Sequence, residues 1–150
     1  MQLGEWDVPN IRAVVSVDRE RLVLYDVHLP MPLSLNSHAE QRLQIHNLLE
    51  RAAGEDDPVL IAGDFNFTET TTHHDAFKNA GFRSAWDTLR RGRGETWRRP
   101  GSLNVLPGLR LDHVMVTDGI SLARIDRGER EGSDHWPMIV EFSMGEGQGR

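Results

Sequence analysis

Carboxylate, amide and imidazole side chains recur where apolar segments of this chain end. Four segments carry them: Asp26-Val27-His28-Leu29, Gly63-Asp64-Phe65-Asn66, Leu111-Asp112-His113-Val114 and Ser133-Asp134-His135-Trp136-Pro137. Side chains at strand ends are held by a rigid scaffold yet face solvent, where they can converge on a substrate. Oxygen ligands of the Asp and Asn type suit Mg²⁺ or Mn²⁺, and imidazole suits proton transfer near pH 7. Together, these segments predict hydrolysis of a phosphate ester.

Each segment also has a simpler structural interpretation. Asp64 and Asn66 belong to the residue types that form turns by hydrogen bonding to their own backbone. A lone histidine at a strand end, such as His28, is more often structural than catalytic. Asp112 is different, because an unpaired carboxylate inside an apolar strand costs several kcal/mol. We therefore expect the Asp112 carboxylate to have a partner, and a histidine would supply one.

The elements that position these residues are predicted from periodicity and turn residues. Residues 11–17 and 22–27 are rich in β-branched side chains and read as a hairpin. A capping box at residues 37–40 predicts the start of a helix that Gly54 ends. The apolar face of this helix has the spacing i, i+3, i+4 and i+7: Ile45, Leu48, Leu49 and Ala52.

The second half of the chain is predicted to contain further strands and one short helix. A continuously apolar strand at residues 59–62 is typical of burial on both faces. The other predictions are a helix at 72–80, an irregular segment at 89–109, and strands at 110–116, 120–125 and 137–142. The pattern favours an α/β fold of the α+β sandwich type, with a mostly antiparallel or mixed sheet and helices on one face.

Composition bounds the class of protein. With 150 residues, of which 38% are hydrophobic and 27% charged, the chain has the balance of one globular domain. We place that domain at residues 11–144, after a leader (1–10) and before a disordered tail (145–150). The net charge of -6 excludes a global attraction to nucleic acid or anionic lipid, so phosphate recognition must be local. The chain contains no cysteine, which excludes disulfides and thiolate chemistry.

Targeting signals place few limits on where the protein works. The chain has neither a signal-peptide pattern at its start nor an apolar run of about 18 residues. These features predict a soluble protein with no membrane segment in this chain, cytoplasmic by default and otherwise of unknown location.

The order of the polar segments resembles the endonuclease/exonuclease/phosphatase superfamily, the group with a DNase I-like fold. Five elements occur in the family's order: a strand ending in His-Leu, a capped helix, a strand into Gly-Asp-Phe-Asn, a Leu-Asp-His-Val strand and a final Ser-Asp-His-x-Pro. Five elements in order are far more specific than any one of them. The resemblance covers about residues 11 to 142 and implies a DNase I-like half-fold and phosphoesterase activity.

By this resemblance, three residues are implied as metal ligands. Asp64 and Asn66 resemble the pair that contacts the scissile phosphate, orients the attacking water and can ligate metal. Asp134 resembles a metal-binding carboxylate. The implied cofactor is Mg²⁺ or Mn²⁺, and the implied chemistry is in-line attack of water on phosphorus.

The resemblance also implies the catalytic set His28, Asp64, Asn66, Asp112 and His135. His135 resembles the imidazole that contacts the phosphate, and Asp112 the carboxylate that fixes its ring. His28 resembles a second phosphate-facing residue. The substrate would be nucleic acid, a lipid headgroup or a small phosphate.

Other polar and aromatic residues are weaker candidates. Arg98 and Arg99 lie in an arginine-rich stretch and, with Trp136, are predicted to bind substrate. His113 stands where the family often has tyrosine, so a core role is expected. His73 and His74 are predicted to be solvated.

The resemblance is to the C-terminal part of the family fold. Complete members begin with an Asn-bearing strand and a strand ending in a metal-binding Glu, and neither is found before Ile11. The inner face of the predicted sheet would therefore lack its apolar partner, which predicts a homodimer or a complex with a separate N-terminal half. The alternative to an enzyme is a non-catalytic binding or assembly module that retains half of the fold.

Overall fold

The computed structural model describes residues 1–6, 9–17, 19–90, 92–98 and 106–145. Seven strands and three helices lie in this part of the chain. Their bounds are β1 Ile11–Val17, β2 Glu20–His28, α1 Leu35–Ala53, β3 Val59–Asp64, α2 Thr72–Asn79, β4 Arg83–Ser84, α3 Ala85–Leu89, β5 Asp112–Val116, β6 Ile120–Arg127 and β7 Met138–Met144.

Five strands form a mixed sheet in the order β1-β2-β3-β5-β4. The β2 and β3 strands are parallel, and the other pairs are antiparallel. The β6 and β7 strands form a separate antiparallel pair. The predicted mixed α/β architecture is confirmed, and the predicted first strand has the same bounds as β1.

The sheet has one helical face and one face covered by strands. The α1 and α2 helices pack on the first face through residues such as Leu48 and Phe77, which are fully buried against Phe65 and Ile61. The second face packs against α3 and the β6–β7 pair, where Ile120 and Ile125 are buried. Apolar burial on both faces explains why β3, the middle strand, has a continuously apolar beginning.

The expectation of an uncovered sheet face is corrected by the β6–β7 pair, which lies over part of that face. A groove of about 290 Å³ remains between the five-stranded sheet and β7. Its walls are apolar and include the partly buried Leu24 and Phe142 and the buried Val114. The second face is thus covered in part rather than bare.

The α1 helix begins earlier than the sequence indicated. The predicted capping box at residues 37–40 is wrong, because Ser34 is the N-cap and its hydroxyl accepts a hydrogen bond from the Ser37 backbone N–H at 3.1 Å. The Ser37 hydroxyl in turn accepts from the Ser34 N–H at 2.9 Å. Glu40 is occupied elsewhere, since its carboxylate accepts from the Trp6 N–H and from Gln44. The end of the helix at Gly54 is as predicted.

Residues before β1 pack onto α1. Leu3 is buried in the core, and its carbonyl accepts a hydrogen bond from Asn47 at 2.6 Å. Asn10 is also buried, and its side-chain oxygen accepts from the His28 N–H at 3.1 Å. The predicted leader therefore contributes to the packing of the domain. Residues 146–150 of the predicted tail lie outside the described residues. Among the described helices, none has the length and apolarity needed to cross a membrane.

Candidate active site

Three neighbouring strands bring predicted site residues to one edge of the sheet. His28, the last residue of β2, pairs in register with Asp64, the last residue of β3. Asp64 pairs on its other side with Asp112, the first residue of β5. The ordered row His28, Asp64, Asp112 follows directly from this strand pairing.

Backbone constraints fix the turn that carries Asp64. Gly63 has φ +137, and a Cβ at this position would lie 2.0 Å from the Val27 carbonyl oxygen, so only glycine permits the close approach of β2 and β3. Asn66 has φ +50, a left-handed conformation that asparagine tolerates. Its side-chain NH₂ donates to the Leu29 carbonyl at 2.8 Å, and its N–H donates to Asp64 Oδ1 at 2.9 Å. Asn66 is therefore held beside Asp64.

His135 reaches this edge from the loop before β7. Its Nδ1 lies 2.8 Å from Asp112 Oδ2, within hydrogen-bonding distance. Its Nε2 lies 3.9 Å from Asp64 Oδ2, and His28 Nε2 lies 3.8 Å from the same oxygen. The partner expected for Asp112 is thus His135. We call His28, Asp64, Asn66, Asp112 and His135 the strand-end cluster.

A buried threonine fastens the His135 loop to β5. The Thr96 hydroxyl accepts from the backbone N–H groups of Leu111 and Asp112, each at 3.0 Å, and the Thr96 carbonyl accepts from the Trp136 N–H at 2.7 Å. Thr96 is fully buried. No sequence pattern indicates this role, because Thr96 lies in an irregular segment and its partners are 15 or more residues away.

The electrostatics of the cluster centre on Asp64. Burial raises the pKa of the Asp64 carboxyl, and the negative charge of Asp112 raises it further. The Asn66 N–H and the charges of His135 and His28 oppose that rise. Two carboxylates close together in a partly buried site favour a bound cation, which would relieve their repulsion.

The donor atoms present suit a divalent cation. Asp64, Asp112 and His135 each offer one ligand atom, and these atoms lie within 4.8 Å of one another. Carboxylate oxygens are the hard ligands that Mg²⁺ and Mn²⁺ prefer. The residues of the strand-end cluster therefore fit the ion class that the sequence predicted.

Asp134 is not one of the three residues whose donor atoms lie within 4.8 Å of one another. Its Oδ2 accepts a hydrogen bond from the Trp97 indole N–H at 3.0 Å, and this bond lowers the pKa of the Asp134 carboxyl. The Trp97 backbone also pairs with His135 and Leu109. Trp97 therefore joins the loop of His135 to the rest of the site.

The residues predicted to bind substrate have different surroundings. Trp136 stacks against two guanidinium groups, Arg127 at 4.6 Å and Arg130 at 5.3 Å from its ring centre. The Arg98 side chain is exposed, and its backbone N–H donates to the Asp134 carbonyl at 3.2 Å. Arg99 lies outside the described residues.

Two further histidines are buried beneath the site. The expectation that His74 is solvated is wrong: it is fully buried, 3.4 Å from Asp87 Oδ2, because the short α2 helix turns it inward. His113 has the expected core role, with Nε2 2.9 Å from the Phe67 carbonyl. Burial lowers the pKa of His113 to about 3, so the ring is neutral and its Nε2 carries the donated proton.

His113 is expected to make the fold acid-sensitive. Its pKa lies below the ordinary value of 6.5, so the unfolded chain binds the proton more readily, and stability falls as the pH drops from 6.5 towards 3. In His113→Phe, the free energy of unfolding should fall less steeply with decreasing pH in this window, by about 1.4 kcal/mol per pH unit. Urea titrations at several pH values measure this slope. His46→Phe, at an exposed position of α1, serves as the control, and an unchanged slope in His113→Phe would contradict the assignment.

Two clefts flank the strand-end cluster. The first, which we call the α-side cleft, has a volume of about 610 Å³ and lies between the start of α1, the start of α2 and Trp97; Asn66 belongs to its wall. The second, of about 730 Å³, lies towards β7 and includes Asp112, His135 and Trp136. The cluster is therefore bordered by a cleft on each of two sides.

The fold is thus a mixed sheet between two layers, with two carboxylates and an Asp-paired histidine at one edge. The sequence profile of the Endonuclease/Exonuclease/phosphatase family matches residues 2–135, and the chain belongs to this family. No curated protein sequence matches the chain.

Solved structures share the fold. An endonuclease/exonuclease/phosphatase from Beutenbergia cavernae DSM 12333 is 22% identical over 92% of this chain, with a TM-score of 0.77. A 3′ phosphatase from Neisseria, solved with a product DNA hairpin, is 15% identical over 88% (TM-score 0.66). A mannosyl-6-phosphatase from Bacteroides thetaiotaomicron is 22% identical over 85% (TM-score 0.59). The chain spans 40%, 64% and 53% of these three chains, respectively.

Proposed function

We propose that this protein is a divalent-metal-dependent phosphoesterase that hydrolyses phosphodiester or phosphomonoester bonds by in-line attack of water. The observation that carries the proposal is the Asp112–His135 pair at 2.8 Å, with His135 Nε2 directed to within 3.9 Å of Asp64. Membership of a family with hydrolytic members supports the phosphate-ester class. Two relatives with the fold are named as phosphatases, which is consistent with it.

Each residue of the strand-end cluster has a distinct task in this proposal. Asp112 accepts the Nδ1 proton of His135, which leaves Nε2 to contact the phosphate and to take or give a proton. Asp64 orients the attacking water, and Asn66 and His28 place hydrogen-bond donors towards the phosphoryl oxygens. Mg²⁺ or Mn²⁺, held by Asp64 with Asp112 and His135 close by, would neutralise negative charge on the phosphoryl and leaving oxygens.

Removal and return of metal tests this proposal. We expect hydrolysis of bis-p-nitrophenyl phosphate to be absent in EDTA, to return on addition of Mn²⁺ or Mg²⁺, and to saturate with metal concentration. The comparison with p-nitrophenyl phosphate establishes whether diesters or monoesters are preferred. Hydrolysis that is indifferent to EDTA would rule out the metal requirement. Absence of hydrolysis under all conditions would leave the non-catalytic module as the better description of this chain.

We also propose that the groove beside β7 is covered by further polypeptide, either a second copy of this chain or a chain that supplies the rest of the family fold. The support is the apolar wall formed by residues such as Leu24, Val114 and Phe142. A second polypeptide would exclude water from this partly open apolar groove.

Sedimentation equilibrium at micromolar concentration tests the assembly. A second copy predicts a mass of twice the 17.0 kDa of one chain. Phe142→Glu, which places a charge in the groove, should shift the equilibrium to monomer, whereas the exposed Ser143→Glu on the same strand should not. A stable 17.0 kDa species that binds no apolar dye would refute the need for a partner.

A further inference from the structure

Residues 96–98 form a short segment, which we call the strap, between the start of β5 and the loop that carries His135. The Trp97 backbone forms a bridge to each side. Its N–H donates to the Leu109 carbonyl at 2.8 Å, and its indole N–H donates to Asp134 Oδ2 at 3.0 Å. The strap is therefore bonded to both parts of the chain that meet at the strand-end cluster.

The Thr96 hydroxyl holds an irregular piece of backbone where β5 begins. In a regular antiparallel ladder, the N–H and C=O of one residue point to the same neighbouring strand. Leu111 departs from this pattern, because its carbonyl accepts from the Phe65 N–H at 2.9 Å while its N–H donates to Thr96 Oγ1 at 3.0 Å. The Asp112 N–H donates to the same oxygen at 3.0 Å. One buried oxygen therefore fixes the backbone from which the Asp112 side chain extends.

The Thr96 carbonyl supports the histidine side of the same pair. It accepts from the Trp136 N–H at 2.7 Å, one residue after His135. The His135 N–H is held as well, since it donates to the Ser133 hydroxyl at 3.0 Å. Asp112 and His135 are 23 residues apart in the chain. Thr96 is thus bonded to the backbone of one member of the pair and next to that of the other.

Burial makes the Thr96 hydroxyl difficult to replace. Thr96 is fully buried, so loss of its oxygen would leave two backbone N–H groups without their acceptor. Buried backbone donors are nearly always paired in folded proteins, so the backbone would be expected to move towards another acceptor. Because one of these donors belongs to Asp112, the movement would displace its carboxylate from His135 Nδ1, 2.8 Å away. Hydrogen bonds weaken steeply with such changes in distance and angle.

We propose that Thr96 is a positioning residue of the strand-end cluster, whose hydroxyl sets the place of the Asp112 carboxylate and whose carbonyl sets that of the His135 ring. This inference rests on the proposed phosphoesterase function and adds to it a fully buried residue that acts only through the pair. Groups that handle protons must be held close to their productive geometry by the residues around them. A purely structural threonine would stabilise the fold without affecting the geometry of the pair.

Thr96→Val removes the acceptor oxygen and keeps the shape of the side chain. We expect kcat for Mn²⁺-stimulated hydrolysis of bis-p-nitrophenyl phosphate to fall by about tenfold to a hundredfold, with KM close to the parental value. Thr96→Ser keeps the oxygen and should retain the parental kcat. The matched control is Thr117→Val, which removes a hydroxyl that accepts from the Val59 N–H at 2.8 Å, at the opposite end of β3 and β5. This control should also retain the parental kcat.

A double-mutant cycle with Asp112→Ala tests whether the Thr96 hydroxyl acts through Asp112. If it does, Thr96→Val should cost less than about threefold in kcat once the carboxylate is gone, because the geometry that it sets is no longer used. An undiminished loss in the Asp112→Ala background would overturn the positioning role, and so would a parental kcat in folded Thr96→Val. If Thr96→Val does not fold, Thr96→Cys takes its place, since a thiol is a weak acceptor, and a smaller loss with the same coupling is expected.

The ring ¹⁵N signals of His135 test the pairing without requiring turnover. At alkaline pH the imidazole is neutral, and a carboxylate that accepts the Nδ1 proton holds the ring in the Nδ1–H tautomer. We expect this tautomer in the parent, Thr96→Ser and Thr117→Val, and a shift towards the Nε2–H tautomer in Thr96→Val. Parental signals in folded Thr96→Val would overturn the proposal. Shifted signals in a chain that hydrolyses no phosphate ester would support the positioning role while refuting the phosphoesterase proposal, so the two failures are distinguishable.

Discussion

Replacing His135 or Asp64 with alanine is expected to lower Mn²⁺-stimulated hydrolysis of bis-p-nitrophenyl phosphate by about a thousandfold or more. His135→Ala removes the proton-handling imidazole. Asp64→Ala removes the carboxylate at the centre of the strand-end cluster, whose Oδ2 lies 3.9 Å from His135 Nε2. Initial rates over a range of substrate concentrations give kcat and KM separately. We expect the loss in kcat, because both groups act on the reacting atoms.

Two exposed residues of the same types provide matched controls. Asp118 is fully exposed in the turn before β6, and His46 is exposed on α1, both away from the site. Asp118→Ala and His46→Ala should retain parental rates. Parental rates in His135→Ala and Asp64→Ala as well would mean that hydrolysis occurs elsewhere or comes from a contaminant.

Asp112→Asn is expected to lower kcat by about 10³ to 10⁴-fold while the free energy of unfolding changes little. The carboxylate accepts the Nδ1 proton of His135 at 2.8 Å, which selects the tautomer and stabilises the imidazolium. An amide in the same place can present its NH₂ to Nδ1 and select the other tautomer. The Asp112 N–H bond to Thr96 is a backbone contact and is unaffected by the change.

The split between kcat and KM separates this positioning role from a merely structural one. In Asp112→Asn, the loss should fall on kcat with KM close to the parental value, because the carboxylate acts on the ring of His135 and not on substrate binding. A structural defect would raise KM as well and would lower the free energy of unfolding. Parental turnover in Asp112→Asn would show that the pairing is not used in catalysis.

Local sequence patterns were sufficient to predict most strands and the polar residues at their ends. Val59 to Ala62 could be placed because a continuously apolar run that stops at Gly63-Asp64 is typical of a buried strand entering a turn. Strand pairing then aligns His28, Asp64 and Asp112, since these residues share a register across β2, β3 and β5. For this reason, most residues of the candidate site could be predicted from residue type and position within a strand.

The Asp112–His135 pair was predicted, but several other features that depend on contacts distant in sequence were not. The start of α1 depends on Ser34 and Ser37, whereas Glu40, the residue that suggested a later capping box, is held by the backbone of Trp6. The roles of Thr96 and Trp97 depend on partners about 15 and 37 residues further along the chain. An irregular, Gly- and Arg-rich segment has no periodicity from which such contacts could be inferred.

The covering of the second sheet face also depends on contacts between residues distant in sequence, and it was not predicted. Strands near β6 and β7 were predicted, but alternation along a strand does not say which sheet it packs against. In β7 the inward-facing residues remain only partly buried, in an alternating pattern from Met138 to Met144. That pattern leaves the groove on which the proposed assembly depends.

The path of oxygen from solvent tests the central proposal most directly. When bis-p-nitrophenyl phosphate is hydrolysed with Mn²⁺ in ¹⁸O-labelled water, attack on phosphorus predicts one ¹⁸O atom in each p-nitrophenyl phosphate and none in the p-nitrophenolate. Mass spectrometry of both products, with His135→Ala as the background sample, measures this distribution. Label in the p-nitrophenolate, or product formation equal to that of His135→Ala, would contradict hydrolysis of phosphate esters at the strand-end cluster.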